Sequence, residues 1–140
     1  MSDRYFLDTN IFVYSHDERS PEKAKTATEL IRNAAARRAG VVSYQVVQEF
    51  FNVVLKKAAT PMRHDDAQQY LATVFRPLLA VHSSATLISE AIQLQGKHRL
   101  SWYDSLIVAA AMEAKCSVLY SEDLQHGQRF GNLTIKNPFR

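Results

Sequence analysis

The chain has 140 residues, 46% of them hydrophobic and 22% charged, which excludes a disordered chain and fits one domain, residues 1–140, with a sizeable core. A net charge of +3, with a sequence pI of about 9.1, permits an anionic partner without requiring one. A single cysteine, Cys116, excludes an internal disulfide and a cysteine-based zinc site, and fits a reducing compartment.

In chain order, the spacing predicts strands over Tyr5–Leu7, Val41–Ser43, Leu79–Val81 and Val118–Tyr120, with a last candidate over Leu133–Ile135. Helices fall between them. Residues 20–40 have Ser20 as N-cap, Pro21 in the first turn and Gly40 as the stop, with a small-residue face through Ala24, Ala27, Leu30, Ile31, Ala34 and Ala35. Residues 43–58 carry the stripe Val46, Val47, Phe50, Val54 and Leu55. A helix over 64–75 runs toward Pro77, which is expected to end or kink it. Residues 84–98 and 101–115 give two more. Strands separated by helices imply right-handed crossovers and an α/β fold with a mainly parallel sheet of four to five strands, whose ligands bind at the carboxyl ends of the strands. The apolar run in "LIVAAAM" falls far short of the roughly 20 residues a bilayer needs. Ser2, Asp3 and Arg4 begin no signal-like apolar run, so a soluble cytoplasmic protein without membrane contact is expected.

Four acids stand where such a sheet would place a site. Asp8 follows the first strand and Asp123 the fourth. Glu49 lies less than two turns into the helix after the second strand, and Asp104 lies in the first turn of the helix over 101–115. Each also has an ordinary reading. Asp8 caps the next helix, Ser101 to Asp104 forms a capping box, and Asp123 begins a turn that Gly127 closes. Glu49 is set among Val46, Phe50 and Val53, at the edge of a buried stripe, where an unpaired carboxylate is costly unless a cation compensates. Oxygen-only donors suit Mg²⁺ or Mn²⁺, and His16, His64, His82, His98 and His126 are too scattered for zinc. Acids alone repel phosphate; with one or two divalent ions they make a phosphate site. The basic clumps Arg37–Arg38, Lys56–Lys57 and Lys97–His98–Arg99, solvated helix faces when taken alone, would then track a nucleic-acid backbone.

The segments "FLDTNIFVY", "SYQVVQEFFNVV", "LSWYDSLIVAAAM" and "VLYSEDLQHG" together resemble the PIN-domain nucleases, in particular the VapC-type toxins of bacterial toxin–antitoxin pairs. The resemblance spans nearly the whole chain. It implies a three-layer sandwich around the parallel sheet and Mg²⁺- or Mn²⁺-dependent cleavage of RNA. It further implies dimerisation, and inhibition by a VapB-type antitoxin inserted in the acidic groove. By the same resemblance Asp8, Glu49, Asp104 and Asp123 are the catalytic, metal-holding acids. Asn10 steadies the first of them, Ser121 supplies a hydroxyl before the fourth, and Glu122 is an alternative to Asp123.

Two rivals remain open. A haloacid-dehalogenase-like phosphatase needs a second acid two residues after the first, where this chain has Asn10, and also a lysine motif. A non-catalytic interaction module requires the acids to point apart or to be neutralised separately. Trp102, Tyr103 and Phe50 read as core, and Phe51 as a partner contact.

Overall fold

The computed structural model describes residues 3–57 and 59–140. Ser2 and Ala58 (the end of the helix expected over 43–58) lie outside them, as does the Lys57 side chain of the Lys56–Lys57 clump.

Strand β1 (Tyr5–Leu7) is short because only Phe6 and Leu7 must be driven into the core, where both are fully buried. Helices α1 (Thr9–Tyr14) and α2 (Pro21–Arg37) follow. Strand β2 (Gly40–Ser43), buried along its length, passes without a loop into α3 (Tyr44–Asn52), which continues as a π turn over Val53–Lys57. Next come α4 (His64–Tyr70), a second π turn over Leu71–Phe75, a single helical turn α5 (Arg76–Leu78), and β3 (Leu79–Val81). Helices α6 (Ala85–His98) and α7 (Trp102–Glu113) pack on each other before β4 (Val118–Tyr120), β5 (Arg129–Phe130) and β6 (Leu133–Lys136).

The strands form one sheet in the order β3-β2-β1-β4-β6-β5, parallel throughout except where β5 runs against β6. It therefore has six strands rather than four or five. β5 is only two residues long, too short for an apolar alternation, and depends on the turn at Gly131 (φ +60) to meet β6. From β1 the chain steps outward through β2 to β3, then returns to the other edge of β1 with β4. The crossovers diverge between β1 and β4, and in parallel sheets that divergence opens a crevice at the carboxyl ends of the two strands.

Two local expectations change. Gly40 does not stop α2. Arg38, in the left-handed conformation at φ 53, ends that helix, and Gly40 begins β2. A Cβ at Gly40 would stand 2.2 Å from the Cβ of Ala34, so the glycine is needed because α2 lies against β2 at that point. Pro77 does not break its helix either. The π turn ahead of it changes the hydrogen-bond register, and the chain makes one more helical turn through Pro77 before β3 begins.

Packing also fixes the helices that carry polar residues. Phe12 of α1 meets Phe75 at 4.8 Å and Phe50 of α3 at 6.4 Å between ring centroids, and all three rings are fully buried. This aromatic contact holds α1 and α3 in a set relation one turn below Thr9 and beside Glu49. Gly40→Ala is expected to destabilise the fold by about 1–3 kcal/mol in chemical denaturation, as overpacking does. Adding Ala34→Gly should recover part of that loss; a Gly40→Ala protein with unchanged stability would contradict the close packing of α2 on β2.

Candidate active site

The backbone delivers Asp8 and Ser121 to the crevice at the ends of β1 and β4. The Asp8 N–H donates to Tyr120 O at 3.0 Å, extending the β1–β4 ladder by one residue. The Ser121 N–H donates to Lys136 O at 3.0 Å and extends the β4–β6 ladder likewise. Asp8 caps α1 as the ordinary reading expects, but it does more. Its Oδ1 accepts from the Thr9 N–H at 2.7 Å and its Oδ2 from the Ser121 hydroxyl at 2.8 Å. The carboxylate is 5% exposed, and no Lys or Arg among the described residues pairs with it. Burial dominates its ionisation and, with the Asp123 and Glu49 carboxylates adding to it, lifts its pKa to about 7 against the hydrogen bonds of Ser121 and Thr9.

Glu49, half-buried on α3, accepts from the Thr9 hydroxyl at 2.7 Å. Thr9 therefore joins the first two acids through its N–H and its Oγ1. The sequence reading passed over this residue; its place between Asp8 and Asn10 at a strand end was the available signal. Asp104 is partly buried in the first turn of α7. Only half of the expected capping box forms. The Ser101 hydroxyl accepts from the Asp104 N–H at 3.2 Å, and among the described residues the Asp104 carboxylate has no hydrogen-bond or ion-pair partner. Asp123 receives the Ser121 hydroxyl at its backbone N–H, 3.2 Å away. Its side chain is exposed on one side, yet its carboxyl is raised, first by desolvation toward the crevice and then by the Asp104 carboxylate.

Asp8 thus feels Asp123 and Glu49, and Asp123 feels Asp104. Among the described residues, no three His, Cys, Asp or Glu side chains stand close enough together, as placed, to hold a metal ion.

Glu122 leaves this group. Lys23 donates to its Oε2 at 2.6 Å and the Tyr14 hydroxyl donates to Oε1, while the Lys23 ammonium also lies 4.6 Å from the Tyr14 ring centroid. Burial opposes ionisation of Glu122, but these donors outweigh it and hold the carboxyl below its ordinary value. Having a basic partner of its own, Glu122 faces α1 and α2. Asn10 differs from expectation as well. Its Oδ1 and Nδ2 are both buried, and among the described residues neither reaches a hydrogen-bond partner, Asp8 included. Trp102 and Tyr103 are not core residues: they are 37% and 63% exposed at the start of α7, where only the residues from Ser105 onward turn inward. Phe50 is core. Arg37 and Arg38 end α2 beside the start of β1 and β2, opposite the acids, so that clump does not border the crevice.

The sequence of residues 5–129 matches the PIN domain family model, and the chain belongs to the PIN domain family. No curated protein matched it. Among solved structures it resembles a chain of a toxin–antitoxin complex from Klebsiella pneumoniae at 15% identity and a TM-score of 0.65, covering 96% of this chain and 97% of that one. VapBC2 from Rickettsia felis, bound to a DNA fragment from its promoter, gives 20% identity and a TM-score of 0.60 over 95% and 97% of the two chains. VapC20 of Mycobacterium tuberculosis, a sarcin–ricin loop cleaving toxin, gives 18% and 0.59 over 84% and 88%. The sheet order and flanking helices described above are thus the PIN fold.

The buried acid makes a pH prediction. A carboxyl moved from 3.8 to about 7 binds its proton more tightly in the folded state. Its stabilising contribution is therefore complete below 3.8 and is lost as pH rises through about 7. In chelator, the stability of the wild type relative to Asp8→Asn should fall across that interval by at most roughly 4 kcal/mol. Parallel stability–pH curves for the two proteins would show that Asp8 is not buried as an acid.

Proposed function

We propose that this PIN-domain protein is a divalent-metal-dependent endoribonuclease and the toxin of a type II toxin–antitoxin pair. The observation that carries the reading is the buried Asp8 carboxylate at the β1–β4 crevice, linked through Thr9 to Glu49 and through Ser121 to the backbone of Asp123, with no basic partner for Asp8, Glu49, Asp104 or Asp123 among the described residues. A group of acids left without cations is a poor structural device, since it costs stability at neutral pH. The non-catalytic alternative has the acids pointing apart or each paired with a basic group or a backbone N–H; Asp8 accepts one backbone N–H, from Thr9, whereas Glu49, Asp104 and Asp123 have no basic partner among the described residues. The toxin assignment is supported by the VapC-containing neighbours, one of which is a toxin that cleaves the sarcin–ricin loop.

The residues suit a hard cation. All four ligands are oxygen donors, and the partnerless amide of Asn10 adds a polar group beside Asp123. Asp8 and Asp104 would hold the principal ion, Mg²⁺ or Mn²⁺, with Glu49 and Asp123 completing its shell or holding a second. Rotation of the exposed Asp123 and the half-buried Glu49 and Asp104 side chains would close the set. When bound, such an ion activates water and offsets charge on a phosphodiester. The chain's own contribution is orientation. Thr9 and Ser121 fix both oxygens of Asp8, and the Ser121 hydroxyl couples Asp8 to the backbone of Asp123. Phe12 and Phe50 keep Thr9 in reach of Glu49. A 5′-phosphate and a free 3′-hydroxyl are the expected ends after cleavage. The protein is expected to act as a homodimer and to be inhibited by a VapB-type antitoxin.

Purified wild type should cleave total RNA in Mg²⁺ or Mn²⁺ and lose cleavage in chelator. Asp8→Asn and Asp104→Asn should each lower the rate at least a hundredfold while remaining folded by circular dichroism. Undiminished cleavage by either variant would overturn the assignment of that acid.

A further inference from the structure

Beside the acids lies a second recess that the reaction does not use. Its volume is about 130 Å³, and it opens at the carboxyl ends of β2 and β3, between the first turns of α3 and α7. Ser43, the last residue of β2, lines it. This residue is 3% exposed and its hydroxyl has no hydrogen-bond partner among the described residues. Ser43 occupies the N-cap position of α3 without capping it, and the β2–β3 register shifts between Val42 and Ser43, so the ladder does not explain the residue. A buried hydroxyl without a partner costs roughly 1–3 kcal/mol, and such a cost points to a ligand group that completes it.

The other walls have a consistent chemistry. The inner end is apolar, at Val81 and Ala110. Three rings stand at the mouth: Tyr44, 45% exposed, lies 6.0 Å from His82 at an interplanar angle of 36°, and Tyr103 is 63% exposed. Gln45 bridges the two helix starts by donating from Nε2 to Tyr103 O at 3.3 Å, and Gln48 presents a second amide. Exposed aromatic faces beside convergent donors and acceptors, above an apolar inner end, are the features by which proteins hold an unstacked base. The volume is close to that of an apolar cavity of about 150 Å³ that takes one benzene ring, so the recess suits a single six-membered ring. Its walls continue into the acids along the chain, since Gln48 precedes Glu49 and Tyr103 precedes Asp104.

We infer that the recess of Ser43, Tyr44, Gln48 and Tyr103 is a base-specific subsite that takes a pyrimidine of single-stranded RNA next to the cleaved phosphodiester. It rests on the ribonuclease reading for its position relative to the cut, but not for binding. Ser43 is given a hydrogen bond to the base edge, and Tyr103 a stacking face.

The test separates the two. Fluorescence anisotropy of 5′-labelled oligo(U), oligo(C) and oligo(A) with the Asp8→Asn protein in chelator reads binding without cleavage. Sequencing the ends released by wild type from a randomised RNA oligonucleotide reads preference at the cut. Oligo(U) or oligo(C) should bind more tightly than oligo(A), and Tyr103→Ala should erase that difference with a roughly tenfold loss of affinity for the pyrimidine strand. Ser43→Ala should also flatten the base preference. It should raise the melting temperature by a few degrees, because it removes a partnerless hydroxyl, so loss of binding could not be blamed on unfolding. Pyrimidine-selective binding that these substitutions abolish, in a protein that cleaves nothing, would leave the subsite standing and remove the nuclease. Cleavage or binding whose base preference is the same in wild type and both variants would overturn the subsite, including the case in which the recess receives a protein side chain instead.

Discussion

The carboxylate of Asp8 is buried at the junction of β1 and β4 with two hydrogen bonds and no counterion among the described residues, and much of the molecule is arranged around that fact. A charged oxygen pair in a low-dielectric site is costly, and the hydrogen bonds of Thr9 and Ser121 offset only part of that cost. The acid is nevertheless where the strand pairing puts it. Its own N–H completes the ladder to Tyr120, so its backbone cannot move toward solvent without breaking the β1–β4 pairing inside the sheet. The result is an acid whose ionisation near neutrality depends on what else enters the crevice.

The neighbours divide into those that sharpen this frustration and those that relieve it elsewhere. Glu49 and Asp123 add negative potential at Asp8, Asp104 adds it at Asp123, and none of the three has a basic partner among the described residues. Glu122, adjacent to Asp123, is drawn away by Lys23 and Tyr14. That diversion lets one Ser-Glu-Asp sequence serve two purposes. Glu122 ties the end of β4 to α1 and α2, and Asp123 faces the crevice. The same logic applies to Ser43 and Asn10, whose buried polar groups lack partners at opposite flanks of the acids. Unsatisfied polar atoms are uncommon in folded proteins and tend to mark positions kept for function.

Much of this could be read from the chain. Five of the strands begin and end within a residue of where β-prone runs placed them, because short buried strands leave a strong local signal. The rule that parallel sheets bind ligands at their carboxyl ends singles out four candidates among the 14 acidic residues present. Departures came where a distant contact overrode a local preference. Gly40 reads as a helix stop until Ala34 is seen against it, and Trp102 reads as core until α7 is seen to start at the surface.

The sequence by itself determined the α/β alternation, the family motifs and which acids fall after strands, since these follow from periodicity and residue type. Only the tertiary structure decided that Glu122 pairs with Lys23 and that Thr9 links Asp8 to Glu49. The reason is physical. Burial, hydrogen bonding and electrostatic coupling depend on separations between residues as much as 113 positions apart along the chain, as Asp8 and Ser121 are, and those separations exist only once the sheet has closed.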